Sequence, residues 1–226
     1  GRQASLLNKS EKAMMEIKIF EFNPVGENTF VLYDETKECV IIDAGAFDEE
    51  ENRIMFDFIS KNNLVVKHLL NTHLHFDHVF GNLTASERFN LSPQAHKADE
   101  FLLDAMPAQL RMFGFPDMGL PPSIGKCLKD NDIIEFGNQK LEVLEVPGHS
   151  PGSVAFYNKE AGVVIVGDAL FRGSIGRTDL AGGNHSQLLN SISSKLFVLP
   201  ADTKVYPGHG PATTIGEEIQ HNPFFR

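Results

Sequence analysis

The chain holds few of the features that would cross-link it, anchor it or draw it to nucleic acid. Its 226 residues include two cysteines, Cys39 and Cys127, too few for a disulfide framework. Cys39 lies in an apolar run and reads as a small buried hydrophobe. The longest apolar stretches, such as Val163-Val164-Ile165-Val166, are strand-sized, far short of the roughly 18 residues of a membrane span. Positive charge is in deficit: Lys plus Arg is 20 and Asp plus Glu is 30, a formal −10. Such a chain repels phosphate backbones, so neither nucleic acid nor a membrane is an expected partner. Residues 1–13 are polar, with no apolar signal core, and the expected location is the cytoplasm.

What is present has the balance of an ordinary globular protein, 42% hydrophobic and 22% charged. The expected organisation is a flexible extension over 1–14 and one large domain over 15–226, with no Ser/Gly/Pro linker to divide it. Short β-branched runs between turn residues read as strands at 16–22, 29–33, 39–43, 65–70, 140–146, 153–157, 162–166 and 203–206. The runs at 38–43 and 162–168 are apolar on both faces and read as buried strands. Helical periodicity appears over 49–61, with Ile54, Phe58 and Ile59 on one side. Further helices fit 97–106 and 185–198, the latter through Leu188, Leu189, Ile192 and Leu196. Strands interleaved with helices predict α/β layers with helices covering sheets. Residues 107–128 stand apart. Their four prolines, with Met112, Met118, Phe113 and Phe115, read as a long loop that either packs down or forms an apolar wall over a pocket.

The informative segment is Asn71-Thr72-His73-Leu74-His75-Phe76-Asp77-His78. With 9 histidines in the chain, composition alone yields such a His-x-His-x-Asp-His cluster in roughly one sequence in a thousand of this length. The apolar run 65–70 ends there as a strand. Histidines at i and i+2 in extended backbone project to one side and can grip one cation. Asp77 and His78 follow in the turn and can reach a neighbouring point. Imidazoles with carboxylates suit Zn²⁺, with Fe and Mn as variants. Three further positions share a local grammar. His149 lies in Pro147-Gly148-His149-Ser150-Pro151-Gly152, Asp168 in Val166-Gly167-Asp168, and His209 in Tyr206-Pro207-Gly208-His209-Gly210. In each, a strand delivers the side chain and a glycine lets the backbone approach closely.

Together, and in this order, these segments resemble the metallo-β-lactamase-fold hydrolases, over nearly the whole chain from about residue 16. The resemblance implies an αβ/βα four-layer sandwich, with two mixed sheets back to back, helices outside and a two-metal site at one edge. It also implies that His73, His75 and His149 hold one metal, that Asp77, His78 and His209 hold a second, and that Asp168 bridges them. Asp43, in Ile41-Ile42-Asp43-Ala44-Gly45, matches an early motif with a supporting role. Phe171-Arg172-Gly173-Ser174-Ile175-Gly176-Arg177-Thr178-Asp179 and the ending through Asn222-Pro223-Phe224-Phe225 are most similar to the glyoxalase II-like subgroup. Within it the chain is most similar to the short forms that lack a C-terminal helical domain.

The reaction this implies is metal-assisted hydrolysis of a small thioester, of the hydroxyacylglutathione type. Water is activated by two cations, expected to be zinc with Fe or Mn possible, and Asp77 and Asp168 are catalytic mainly as ligands. Arg177 reads either as an ion pair with Asp179 or as a fork for a substrate carboxylate. Gly176-Arg177-Thr178-Asp179 also resembles a segment of the mononuclear-iron persulfide dioxygenases, an alternative on the same fold.

Overall fold

The computed structural model describes residues 14–226. All but the last residue of the extension expected over 1–14 lies outside the described residues. Two six-stranded sheets carry the fold. The first contains β1 (Glu16–Phe22), β2 (Glu27–Tyr33), β3 (Glu38–Ile42), β4 (Val65–Leu70), β5 (Pro93–Ala95) and β6 (Lys126–Cys127), side by side in chain order. The second contains β7 (Ile133–Phe136), β8 (Gln139–Glu145), β9 (Val154–Asn158) and β10 (Val163–Gly167). A small hairpin of β11 (Leu170–Phe171) and β12 (Ser174–Ile175) intervenes before β13 (Lys204–Pro207) and β14 (Thr213–Thr214) complete that sheet. Both sheets are mixed: β3, β4, β5 and β6 pair in parallel, as do β10 and β13, and the other neighbours are antiparallel.

The alternation of side chains along each strand builds the layers. Phe30 and Leu32 of β2 with Val40 and Ile42 of β3 face Val143, Phe156 and Ile165 of the second sheet, and these close the central core. The intervening Val31, Cys39 and Ile41 turn outward beneath α1 (Glu49–Lys61) and α2 (Asn82–Phe89), where Met55, Ile59 and Ala85 cover them. A third helix, α3 (Phe101–Met112), packs Leu102, Met106 and Leu110 on Leu74, Phe76 and Phe80. On the far side Val164, Val166 and Val205 lie under α4 (His185–Ser191), its π-type continuation Ile192–Leu196, and α5 (Ile215–His221). This is the expected four-layer α/β sandwich. Strands buried on both faces must be apolar throughout, which is why β3 and β10 are legible as continuous runs. Cys39 is fully buried, and burial pushes its thiol up to about 12, as its reading as a small hydrophobe requires. Among the described residues, no helix is long and apolar enough to cross a membrane.

The structure corrects three local expectations. The buried face of α1 is Asn52, Met55 and Ile59, while Ile54 points outward at 44% exposure. The helix expected over 97–106 begins at Phe101 and runs on to Met112 with Pro107 inside it. Proline removes one backbone donor, but Leu102, Leu103, Met106 and Leu110 bury one face of the helix and outweigh that loss. The irregular stretch is correspondingly shorter than 107–128, and Phe113 and Phe115 open it. Finally α2, α5, β5, β6 and β7 have no counterpart in the sequence reading.

Candidate metal centre

The strands of both sheets end at one edge, and the candidate donors meet there. Beyond β4 the chain runs through His73 and His75 into a single 3₁₀ turn, Phe76–His78. The turn carries Asp77 and His78, both buried. From the other sheet come His149 after β8, Asp168 after β10 and His209 after β13. Two groups form. His73, His75 and His149 are one, and Asp77, His78, Asp168 and His209 the other, with the donor atoms of each mutually within 4.8 Å. In the second group Asp77 Oδ2 lies 3.0 Å from His209 Nε2 and 3.4 Å from His78 Nε2. Asp168 places Oδ1 3.3 Å from His78 Nε2 and Oδ2 3.4 Å from His209 Nε2. A tetrahedral ion with bonds of 2.0–2.1 Å needs donors about 3.3–3.4 Å apart, and three of these four edges match such a site. Asp168 Oδ2 is also 3.6 Å from His149 Nε2 and 3.8 Å from His73 Nε2. That carboxylate therefore stands between the two groups.

The fit to cations rests on the state of the donor atoms. His73 Nε2, His78 Nε2 and Asp168 Oδ1 are buried without a hydrogen-bond partner, which is costly unless something else satisfies them. His75 Nδ1 and His149 Nε2 face each other at 2.9 Å, two imidazole nitrogens aimed at one point. Burial and the neighbouring imidazoles hold His73 far below the usual histidine range and push His75 down to about 3. Both rings are therefore neutral and offer lone pairs. In the second group burial is opposed by the carboxylates. Asp168 and Asp77 raise His209 to about 10, and Asp77, Asp168 and Asp43 raise His78 well above its ordinary value. Asp168 itself is held well below the carboxylate range, because His78 and His209 overcome its burial. The carboxylates thus favour protons on His78 and His209, positive charge that a bound cation would replace.

Each remaining ring nitrogen but one has a partner that fixes the ring. His73 Nδ1 meets Thr72 Oγ1 at 3.0 Å, His78 Nδ1 meets Asp43 Oδ2 at 2.9 Å, and His149 Nδ1 donates to the Arg177 carbonyl at 2.8 Å. His209 Nδ1 donates to the Val25 carbonyl at 3.2 Å. Such partners set tautomer and orientation, and so decide which nitrogen faces the centre. Asp43 fulfils the supporting role expected of it, binding Thr72 N and Oγ1 at 2.7 and 2.6 Å. Close approach also requires glycine. A Cβ on Gly208 would meet Asp168 Oδ1 and the His78 ring, and one on Gly176 would meet the Asp168 carbonyl and His149.

Three residues that sequence reasoning passed over complete the frame. Asp99 is fully buried and accepts from Leu74 N at 3.1 Å, Ser150 Oγ at 2.8 Å and Gly152 N at 2.5 Å. It thus ties the segment carrying His73 and His75 to the turn carrying His149. Asn28 accepts nothing from the metal groups, but its amide donates to the Pro207 and Gly210 carbonyls at 3.0 Å and its N–H to the Gly208 carbonyl, clamping the His209 turn. Glu27 lies fully buried behind His78, its carboxyl raised by burial. No local pattern marks any of them. Residues 148–152 have the Gly-x-Ser-x-Gly spacing of a nucleophile elbow, but Ser150 is fully buried and its hydroxyl donates to Asp99 and shares a bond with Ser153. The turn also joins two strands rather than a strand to a helix.

Both groups open into one cavity of about 620 Å³, with His75, His149, Asp77, Asp168 and His209 on its floor. Phe76, Phe113, Phe115, Phe171 and Leu180 wall it, and Arg177 stands at its rim. The Arg177 fork binds Asp179, Nε to Oδ1 at 2.7 Å and Nη2 to Oδ2 at 2.8 Å, and its guanidinium lies 6.0 Å from the Phe113 ring centre. The other histidines lie elsewhere. His68 bonds the Glu135 carbonyl, His96 pairs with Glu145 at 2.9 Å, and His185 opens α4.

Comparison with known proteins agrees with this architecture. Hydroxyacylglutathione hydrolase GloC of Haemophilus influenzae is 35% identical over 211 residues, covering 93% of this chain and 98% of that protein. The crystal structure of BLEG-1 B3 metallo-beta-lactamase superposes with a TM-score of 0.84 at 37% identity, covering 93% of this chain and 99% of that one. TTHA1623 in a di-iron-bound form gives 0.81 at 37% identity, with 92% and 99% covered. Residues 23–209 match the family described as the Metallo-beta-lactamase superfamily. On that match, which takes in every donor gathered at the sheet edge, the chain belongs to the metallo-beta-lactamase superfamily.

Proposed function

We propose that this chain is a metal-dependent hydrolase of small thioesters. In this reading His73, His75 and His149 hold one cation, Asp77, His78 and His209 hold a second, and Asp168 is shared. The donor set suits zinc, and a related structure with two irons makes iron an equal candidate. When bound, such a pair polarises a carbonyl and lowers the pKa of water toward about 7. The chain's own residues orient these donors through Thr72, Asp43 and the Arg177 and Val25 carbonyls. Phe76, Phe113 and Phe115 keep bulk water from one side of the cavity.

The observation that carries the reading is what does not line the cavity. Among the described residues lining it there is no Ser, Thr, Cys or Lys, so the nucleophile comes from solvent. Nor does it offer a free carboxylic acid to protonate a leaving group, since Asp77 and Asp168 belong to the donor groups. A thiolate, with a pKa of about 8.5, departs without that help, whereas an amine does not. The GloC relative, named for hydrolysis of a thioester, points the same way.

The test is thiol release from S-D-lactoylglutathione and from neutral thioesters, with metal content measured on the same preparations. Metal-dependent thiol release is expected, lost together with metal in His75→Ala while the circular dichroism spectrum is retained. The persulfide dioxygenase alternative rests on the 176–179 segment. Oxygen uptake with glutathione persulfide, without thioester cleavage, would establish it instead.

A further inference from the structure

The cavity that reaches the donor groups has an unusual balance of surfaces. Phe76 follows the metal-binding pair directly in sequence, and its ring centre lies 5.3 Å from those of both Phe113 and Phe115. Phe115 is backed in turn by Phe47 and Phe80, at 6.1 and 5.7 Å. The wall is therefore held in place from behind. Phe113 remains 38% exposed at the mouth and the adjacent Met112 64%, apolar surface of a kind that partly exposed sites of recognition present. Across the cavity Phe171 and Val25 flank His209. Against this, Arg177 is the one fixed cation among the described lining residues, and its two parallel donors are taken by Asp179.

We propose, resting on the thioester-hydrolase reading, that this cavity selects its substrate by an apolar arm, an aromatic or medium-length aliphatic group seated on Phe76, Phe113 and Phe115, and not by carboxylates. A tripeptide thiol such as glutathione brings two carboxylates and an ammonium. Seating them here would set two carboxylates beside a chain of net charge −10, with Arg177, its Nε–Nη2 edge already engaged by Asp179, the one fixed cation among the described lining residues to receive them. An apolar arm meets no such penalty and gains with each methylene removed from water. Aromatic arms add ring–ring contacts of the kind Phe76 already makes, tilted, with Phe113 and with Phe115.

The experiment compares kcat/KM of the metal-loaded wild-type protein across N-acetylcysteamine thioesters carrying acetyl, butyryl, hexanoyl and phenylacetyl groups, with S-D-lactoylglutathione alongside. The expected result is a rise of about fourfold per methylene from acetyl to hexanoyl, the fold-change that burial of one methylene supplies. Phenylacetyl is expected at or above hexanoyl, and lactoylglutathione at least about tenfold below both. Added salt should leave the order of the neutral thioesters unchanged, because no charge carries it. Phe113→Ala, at a half-exposed site, should flatten the chain-length slope, and Phe113→Leu should restore most of it. A flat response to acyl length in wild type, or lactoylglutathione above every neutral thioester, overturns the inference and leaves the hydrolase reading standing. No thiol release from any member of the panel overturns that reading and the inference with it.

Discussion

Asp43 Oδ2 lies 2.9 Å from His78 Nδ1, and the same carboxylate receives the Thr72 hydroxyl at 2.6 Å and the Thr72 N–H at 2.7 Å. One side chain at the end of β3 thereby orients His78 directly and His73 through Thr72. Asp43 holds φ 55° to do so, a left-handed conformation that Asp tolerates better than most residues. The arrangement couples the two donor groups through a residue that belongs to neither.

Replacing it should expose that coupling. Asp43→Asn keeps the volume but cannot accept from all three donors. Metal affinity, measured by competition with a chromophoric chelator, is expected to fall about 10–100-fold, with the far-ultraviolet circular dichroism spectrum preserved. An unchanged affinity would show that the ring of His78 is held by packing alone.

Gly208→Ala tests close approach. The new Cβ would press on Asp168 Oδ1 and His78 Cε1, and backbone cannot yield there because Gly208 N–H bonds the Gly167 carbonyl at 2.8 Å and its own carbonyl accepts from Asn28 N–H. Loss of one metal equivalent is expected, together with a steep loss of turnover. Full metal content would mean that the two strand ends can part.

Asp99→Ala removes the acceptor shared by Leu74, Ser150 and Gly152. Leu74 N–H and Gly152 N–H lose this acceptor and the Ser150 hydroxyl is left with Ser153 alone, so a destabilisation of about 3 kcal/mol is expected, or roughly 10 °C in Tm. Turnover at a permissive temperature should fall as well, since His149 rides on the same turn. A loss of stability with normal turnover would assign Asp99 to the fold alone.

Asp34 predicts a pH dependence away from the metal groups. Burial pushes its carboxyl up, but hydrogen bonds from the Thr36 hydroxyl, Asn138 N–H and Gln139 amide outweigh that and hold it below the usual carboxylate range. A depressed folded value means that the unfolded chain binds the proton first as pH falls. The contribution is complete well above the unfolded value of about 3.9 and is lost as pH drops through the folded value. Denaturant unfolding of wild type and Asp34→Asn should show a constant difference near neutrality that shrinks below about pH 4. A difference independent of pH would remove Asp34 from the acid limb.

Much of this protein was written locally. The bounds of β1, β4 and α1 follow from runs and periodicity within single windows, and β-branched strands buried on both faces advertise themselves. The ligand types and their order were legible because a strand, a glycine turn and a donor recur as short grammar around His73, His149, Asp168 and His209. What tertiary structure alone decided involves partners distant in sequence. The two-residue β6 exists because β5 pairs with it, Pro107 stays helical because its helix buries a face, and Ile54 points out because Met55 and Ile59 take the contact. Asp99, Glu27 and Asn28 carry no local signal, since their work lies in contacts reaching 25 to 182 positions along the chain. The sequence determined which groups could bind a cation. Only packing two sheets face to face determined that their free lone pairs meet at the floor of an apolar cavity, because convergence is a property of the strand ends together and of none of them singly.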